Sequence, residues 1–129
     1  MSKAPTLSAA VPILFVRDVP AAAAFYRDKL GFQIDFLHGQ PPFYGSVSRD
    51  RACLHLRFVH HTNFAELAVR EESLILATIE VADVDALFEE FSARGVDCPQ
   101  RLVTQPWGGR DFHVRDADGN VISFVQFKA

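Results

Sequence analysis

Residues 16–32 read VRDVPAAAAFYRDKLGF, and a related pattern, VADVDALFEEFSARGV, returns at residues 81–96. Each stretch has an aspartate where it would cap the start of a helix and a glycine where the helix would end. These residues are Asp18 and Gly31 in the first stretch, and Asp83 and Gly95 in the second. The patterns are about 65 residues apart, half of the 129-residue chain, so the sequence predicts one supersecondary unit that occurs twice.

The residues that surround the two helices predict β-strands. Short apolar runs, and residues that alternate between apolar and polar, indicate strands when turn residues bound them. The predicted strands span residues 10–16, 32–37, 43–48, 52–58, 74–81, 111–115 and 120–127. Residues 96–103 are ambiguous and leave room for one further short strand.

This order predicts an α+β fold of two tandem βαβββ modules, at about residues 8–60 and 74–127, joined by a loop at about residues 60–73. A chain of this length fits a single domain with a substantial core. The modules would form a curved mixed sheet with a concave apolar face. Pairing the sheets edge to edge, and pairing two chains in a homodimer, would bury such faces and leave a cleft between them.

The composition is that of an ordinary globular protein, with 49% hydrophobic and 22% charged residues. A net charge of −3 gives no reason to expect a nucleic-acid partner, which would require a concentrated basic patch. The apolar runs are too short for a membrane span and residues 1–10 do not resemble a signal peptide, so we expect no membrane association and a cytoplasmic location. Cys53 and Cys98 are expected to be reduced thiols.

Several short motifs resemble those of one superfamily. Residues 16–19 (VRDV) with 25–32 (FYRDKLGF), and residues 116–122 (DADGNVI), are similar to the first-module and second-module signatures of the vicinal oxygen chelate superfamily, which includes glyoxalases, bleomycin-resistance proteins and extradiol dioxygenases. A narrower similarity to the bleomycin-resistance branch rests on residues 10–12 (AVP), Gly31-Phe32 with Asp35-Phe36, and residues 105–108 (QPWG) followed by 110–112 (RDF).

The resemblance implies a binding protein instead of an enzyme. Members of the bleomycin-resistance branch are dimers without a metal or other cofactor, and they sequester a glycopeptide drug in grooves at the dimer interface. In that branch an N-terminal arm crosses to the partner chain, and here we expect Met1 to Ala10 to do so. Pro12 favours such an arm, because proline has no amide hydrogen to donate to its own sheet.

The enzymes of the superfamily bind a divalent ion, and the resemblance places their ligand positions at Val11, Leu76 and Ser123. Valine and leucine have no lone pair to offer, and a serine alone is a poor ligand for a divalent ion. The sequence therefore predicts no metal. A displaced site built from His55, His113 and Glu80 is the alternative that the remaining residues allow.

The candidate ligand-binding residues are mostly aromatic. Trp107, the one tryptophan, stands in a Pro- and Gly-rich loop, a context that argues against deep burial. Phe36 and Phe43 match positions that contact the drug in the resistance branch, and two Phe on adjacent strands can stack on a planar heteroaromatic group. The full set of predicted ligand-binding residues is Phe36, Phe43, His55, Thr78, Trp107, Arg110 and His113.

Two departures leave the ligand open. The resistance branch has a further tryptophan in the fifth strand, where this chain has Thr78, and the chain lacks a dense acidic run that would receive a cationic drug tail. The leading hypothesis is metal-free sequestration of a bleomycin-type or other aromatic ligand. The alternatives are a metal-dependent lyase, isomerase or dioxygenase with displaced ligands, and a binding module with an unrelated ligand.

Overall fold

A computed structural model describes residues 4–72 and 74–128 of the chain. It contains the same succession of elements twice, a strand, a helix and three strands, with a short helix between the two sets. The first set is β1 (Ile13–Val16), α1 (Val19–Leu30), β2 (Gln33–His38), β3 (Tyr44–Arg49) and β4 (Ala52–Phe58). After α2 (Phe64–Arg70) come β5 (Ala77–Glu80), α3 (Val84–Ala93), β6 (Gln100–Thr104), β7 (Arg110–Arg115) and β8 (Val121–Gln126).

The strands form two four-stranded mixed sheets with equivalent topology. The N-terminal sheet has the order β1-β4-β3-β2 and the C-terminal sheet the order β5-β8-β7-β6. In each sheet the first and last strands of the module pair in parallel, and the other pairs are antiparallel. The predicted α+β class and the two βαβββ modules are confirmed, and the curved mixed sheet is divided into these two sheets.

The two long helices begin at the predicted aspartates. The Oδ1 atom of Asp18 accepts a hydrogen bond from the Ala21 amide at 3.0 Å, and the Oδ1 atom of Asp83 accepts one from Ala86 at 3.1 Å. Both are N-caps that satisfy an amide without a partner in the helix. Gly31 ends α1 with φ +74°, a left-handed conformation that glycine adopts without steric cost.

The helix-facing sides of both sheets join α1 and α3 in one hydrophobic core. The buried hydroxyl of Tyr26 on α1 donates to the Asp116 carboxylate, in the β7–β8 turn, at 2.9 Å. Burial raises the pKa of Tyr26 well above its usual value and also raises the pKa of Asp116. Asn120 adds a bond from its side-chain amide to the Phe15 carbonyl at 3.0 Å. These bonds fasten the second module to the first through buried polar groups.

A reciprocal pair of hydrogen bonds joins the C-terminal ends of α1 and α3. The Lys29 ammonium donates to the carbonyl oxygen of Arg94 at 2.8 Å, and the Arg94 guanidinium donates to the carbonyl oxygen of Lys29 at 3.3 Å. The two residues are 65 positions apart, which is the spacing of the repeat. The places are similar but not identical, because Lys29 lies in the last turn of α1 whereas Arg94 is the C-cap of α3.

The connecting segment differs from the prediction. Residues 60–73 were expected to form a loop, whereas residues 64–70 form α2, and Ser73 lies outside the described residues. The helix is only seven residues long, its N-cap Asn63 makes no capping hydrogen bond and none of its residues is buried, so the local signals for it are weak. The ambiguous stretch at residues 96–103 contributes β6, whose pairing with β7 is interrupted by a bulge.

The chain before β1 contains no helix or strand in residues 4–12, and Leu7 there is 97% exposed. The predicted arm begins at Met1, and residues 1–3 lie outside the described part of the chain. Pro12 supplies only its carbonyl oxygen, which accepts from the His55 amide at 2.9 Å, and β1 starts at the next residue. Among the described residues, no helix is both long and apolar enough to cross a membrane.

Candidate functional site

Each sheet has one side packed on the core and one side that no helix of its module covers, which we call its open face. On the N-terminal open face, cross-strand pairing places Ile13, His55, Ser46 and Phe36 in one row. Phe36 is 46% exposed, and Phe15, two residues after Ile13 on β1, is 52% exposed. Large apolar side chains exposed together on a sheet mark a ligand groove or an interface more often than plain surface.

His55 is the polar centre of this open face. Its Nδ1 atom lies 2.9 Å from the Tyr44 hydroxyl, and the Phe36 ring meets the imidazole edge-on with centroids 6.1 Å apart. The structure thus brings two predicted site residues, Phe36 and His55, together. Phe43, a third, is half-exposed in the β2–β3 turn, where its ring packs edge-on against His38 at 5.3 Å.

Asp35 adds a fixed negative charge beside Phe36. Its carboxylate accepts hydrogen bonds from Ser48 at 2.7 Å and from Ser46 at 2.9 Å, and a third from Gln33. The bond from Ser48 is the largest influence that lowers the pKa of Asp35 below its usual value. The side chain is therefore ionised at neutral pH although its hydrogen-bond donors are neutral groups.

The C-terminal open face is more polar. Its central row consists of Thr78, Ser123, His113 and Gln100, of which Ser123 and His113 are buried and Thr78 is exposed. The His113 Nε2 atom lies 3.7 Å from the carboxylate of the buried Asp111. Burial lowers the pKa of His113, and this effect outweighs the opposite influence of Asp111, so the imidazole is neutral at pH 7. The structure brings the predicted residues Thr78 and His113 into this one row.

Trp107 lies at the rim of the same sheet, in the loop between β6 and β7. Its side chain is exposed and its ring meets that of Phe127 at a centroid distance of 6.1 Å and a tilt of 49°. The ring rests so closely on Gly109 that a Cβ atom at that position would overlap it. The loop geometry therefore presents a large aromatic surface to solvent, as its Pro- and Gly-rich context predicts.

Arg110 lies apart from the other predicted site residues. Alternation along β7 puts Arg110 on the same side as the core residue Phe112, opposite His113. Its guanidinium donates to Asp85 on α3, at 3.0 Å for the shortest contact, and to Thr104 at 3.0 Å. The structure therefore pairs this arginine with a helix carboxylate on the helix side of the sheet.

The ligand positions implied for the superfamily's enzymes do not fit a divalent ion. Val11 and Leu76 are partly exposed aliphatic residues and Ser123 is buried. Within residues 4–72 and 74–128, no three His, Cys, Asp or Glu side chains are grouped so that they could hold one metal ion. The alternative trio is divided, because His55 belongs to the N-terminal sheet whereas His113 and Glu80 belong to the C-terminal sheet.

A groove of about 750 Å³ runs between β1 and α2. Ile13 and Phe15 of the N-terminal open face, Leu67 of α2 and Leu76 before β5 supply its apolar lining, and Arg70 and Glu66 supply charges. Apart from Leu76, which the resemblance places at a ligand position of the superfamily's enzymes, the sequence did not identify these residues as site candidates. Ile13 and Phe15 belong to an unbroken apolar run, in which the alternation between buried and exposed positions leaves no polar signal.

Comparisons with known proteins agree with this geometry. The family model of the Glyoxalase/Bleomycin resistance protein/Dioxygenase superfamily matches residues 7–124. Bleomycin resistance proteins from Geobacillus stearothermophilus and Staphylococcus aureus are each 32% identical over 127 residues, which cover 90% of this chain and 94% of theirs. The bleomycin-binding protein from bleomycin-producing Streptomyces verticillus, solved with copper(II)-bleomycin, is 32% identical with a TM-score of 0.75. That match covers 98% of this chain and 100% of the other.

Proposed function

Because the chain belongs to the glyoxalase/bleomycin resistance protein/dioxygenase superfamily, we propose that it binds and sequesters a bleomycin-type drug or a similar aromatic small molecule. The ligand would occupy grooves formed where two copies of the chain meet. The similarity to proteins described as bleomycin resistance or bleomycin-binding proteins, over nearly the full length of the chain, supports this choice of ligand.

The observation that carries the proposal is the set of exposed rings on and beside the open faces. Phe36 and Phe15 on the N-terminal face, and Trp107 at the rim of the C-terminal face, offer flat apolar surfaces to a planar group. Stacking on such rings contributes about 0.5–1.5 kcal/mol per pair beyond the burial of area. His55 and Tyr44 provide hydrogen-bonding groups beside Phe36 that can orient a ligand, and Thr78 offers a further one on the C-terminal open face.

We propose that this binding involves no catalysis. Val11 and Leu76 cannot coordinate an ion that would polarise a substrate, and the buried Asp111–His113 pair has no nucleophile bonded to it. We also place the protein in the cytoplasm, where Cys53 and Cys98, both free thiols here, would remain reduced.

The working unit in this proposal is a homodimer with exchanged N-terminal arms. Residues 4–12 have no secondary structure of their own, and the fully exposed Leu7 is an apolar side chain without burial in its own chain. A second copy would cover that leucine and the exposed apolar residues of β1. The dimer would also put an open face of one chain next to one of its partner.

Titration of the protein with bleomycin, followed by the fluorescence of Trp107, tests the proposal. We expect saturable quenching with one or two drug molecules per dimer, because Trp107 is the one tryptophan and lies at the rim of the site. A ligand at a hundred times its Kd should also stabilise the native state by about 2.7 kcal/mol. Phe36→Ala should weaken binding about tenfold, and Phe36→Leu, which keeps apolar area without the ring, should weaken it less.

Two results would contradict this function. Absence of both quenching and thermal stabilisation would favour a binding module with an unrelated ligand, which a screen of drugs and metabolites by thermal shift would then seek. Stoichiometric zinc, nickel, manganese or iron in protein purified without chelator would instead support a metal-dependent enzyme.

A further inference from the structure

The loop that carries Trp107 is closed by one residue, Gln105. The Gln105 amide donates to the Gly109 carbonyl at 2.7 Å, and the Gln105 carbonyl accepts from Gly108 at 2.9 Å. The Gln105 side chain leaves the loop and donates through Nε2 to Oδ1 of Asp111 on β7 at 2.9 Å. This side chain therefore links the Trp107 loop to the buried polar group of the C-terminal open face.

Asp111 is well prepared to act as an anchor. Its side chain is 7% exposed, and the same Oδ1 atom accepts a second bond, at 2.8 Å, from the Gln100 side chain on β6. Gln105 and Gln100 also approach each other, with Nε2 of Gln105 3.5 Å from Oε1 of Gln100. A buried carboxylate with two amide donors has little rotational freedom, and hydrogen bonds to a charged group are about twice as strong as neutral ones.

The Trp107 ring has little else to hold it. It is 60% exposed, its tilted contact with Phe127 involves another half-exposed ring, and Gly109 beneath it has no side chain. Gly108 has φ +100°, a backbone conformation that residues other than glycine rarely adopt. The orientation of the ring therefore depends on the hydrogen bonds of Gln105 as well as on its contacts with Gly109 and Phe127.

We propose that Asp111 is a positioning residue for ligand recognition, which acts through Gln105 to hold Trp107 at the rim of the C-terminal open face. We call the link from Asp111 through Gln105 to the Trp107 loop the clamp. Its value for binding rests on the proposed function, whereas the existence of the clamp does not. A ligand would find the indole already in place and would not have to order the loop at a cost in conformational entropy.

The test compares three variants by fluorescence anisotropy and acrylamide quenching of Trp107, both without ligand. Gln105→Leu keeps the approximate volume but removes the donor, and Gln100 still satisfies Asp111, so the fold should persist. Its anisotropy should fall and its quenching should rise. Asp111→Asn retains one oxygen that can accept both amide bonds but loses the charge, so its readings should lie between those of the wild type and those of Gln105→Leu. Gln33→Leu, which removes the same type of bond to Asp35 in the other sheet, is the matched control and should leave both readings unchanged.

Titration with bleomycin completes the experiment. The Kd of Gln105→Leu should rise about tenfold, the effect of losing one hydrogen bond to a charged group, while that of Asp111→Asn, which keeps a weaker bond, should rise less. Wild-type anisotropy in a folded Gln105→Leu, or an anisotropy in a folded Asp111→Asn that falls below that of Gln105→Leu, would overturn the proposal. If the wild-type protein binds no bleomycin, the proposed function fails and the ligand-free readings still decide whether the clamp exists.

Discussion

His113 is an ionisable residue placed where its charged form is unfavourable. Its imidazole is only 8% exposed, and the Asp111 carboxylate, at 3.7 Å, only partly compensates the loss of water. A neutral imidazole can both donate and accept a hydrogen bond, which suits a ligand with mixed polar groups. The same burial links the stability of the protein to pH, because the unfolded chain leaves this histidine free to protonate.

We predict that the free energy of unfolding falls as the pH is lowered through the range below 6.5, the ordinary pKa of histidine. Because the pKa of His113 is lowered in the folded state, the unfolded state binds a proton in that range and the native state does not. Acid therefore favours unfolding. Urea unfolding between about pH 5 and pH 7 measures the slope. His113→Gln, which retains a polar side chain, should flatten it, and an equally steep slope in that variant would show that other groups cause the dependence.

At the level of the elements, the helices depend on local signals and the sheets on distant ones. Asp18 and Asp83 cap their helices through contacts only three residues away, and each cap satisfies a single amide. The open faces, in contrast, depend on register across strands far apart in sequence. A single shift of register would exchange their residues for those of the core.

We expect Asp18→Ala and Asp83→Ala each to destabilise the protein by about 1 kcal/mol, the usual loss for an N-cap replaced by alanine. The two caps bond to different amides in different helices, so the double variant should lose about the sum. Chemical denaturation gives the values, and Asp18→Asn is the control that keeps the capping oxygen. Strong coupling between the two substitutions would contradict the view that the caps act locally.

The difference between local helix signals and long-range strand register explains which features could be predicted from the sequence. The helix boundaries at Asp18, Gly31 and Asp83 were predictable because each depends on a few neighbouring residues. Phe36 and His55 were identified from motif and alternation, and they do lie side by side. The role of Gln105 as a link to Asp111 was not predictable, because it depends on the bend of the β6–β7 loop. The helix α2 was missed because it is only seven residues long and lacks a capping hydrogen bond at its start.

For the whole molecule, the question is what covers the apolar residues that one chain leaves exposed. Leu7 in the N-terminal segment and Ile13 and Phe15 on β1 are all more than half exposed, and they follow one another along the chain. Each buried CH2 group contributes about 0.8 kcal/mol, so covering these side chains would yield a substantial part of a dimer interface. In the proposed dimer, a second copy of the chain covers these exposed side chains.

Removal of the residues before Val11 should therefore weaken dimerisation, as measured by gel filtration or analytical ultracentrifugation over a range of concentrations. Leu7→Asp should have the same direction of effect, because it would place a charge in an apolar contact with the partner. Ser8→Asp adds the same charge to the neighbouring position and should have a smaller effect. An unchanged dimer after truncation would exclude the arm from the interface.

The reciprocal bonds between Lys29 and Arg94 join the two halves of the molecule in an approximately twofold manner. Each side chain donates to the other residue's carbonyl oxygen, a pattern that identical subunits show around a twofold axis. The symmetry is only approximate, because Lys29 lies inside α1 whereas Arg94 is the C-cap of α3. Since each bond uses the side chain of one residue and the backbone of the other, loss of one side chain would leave the second bond in place.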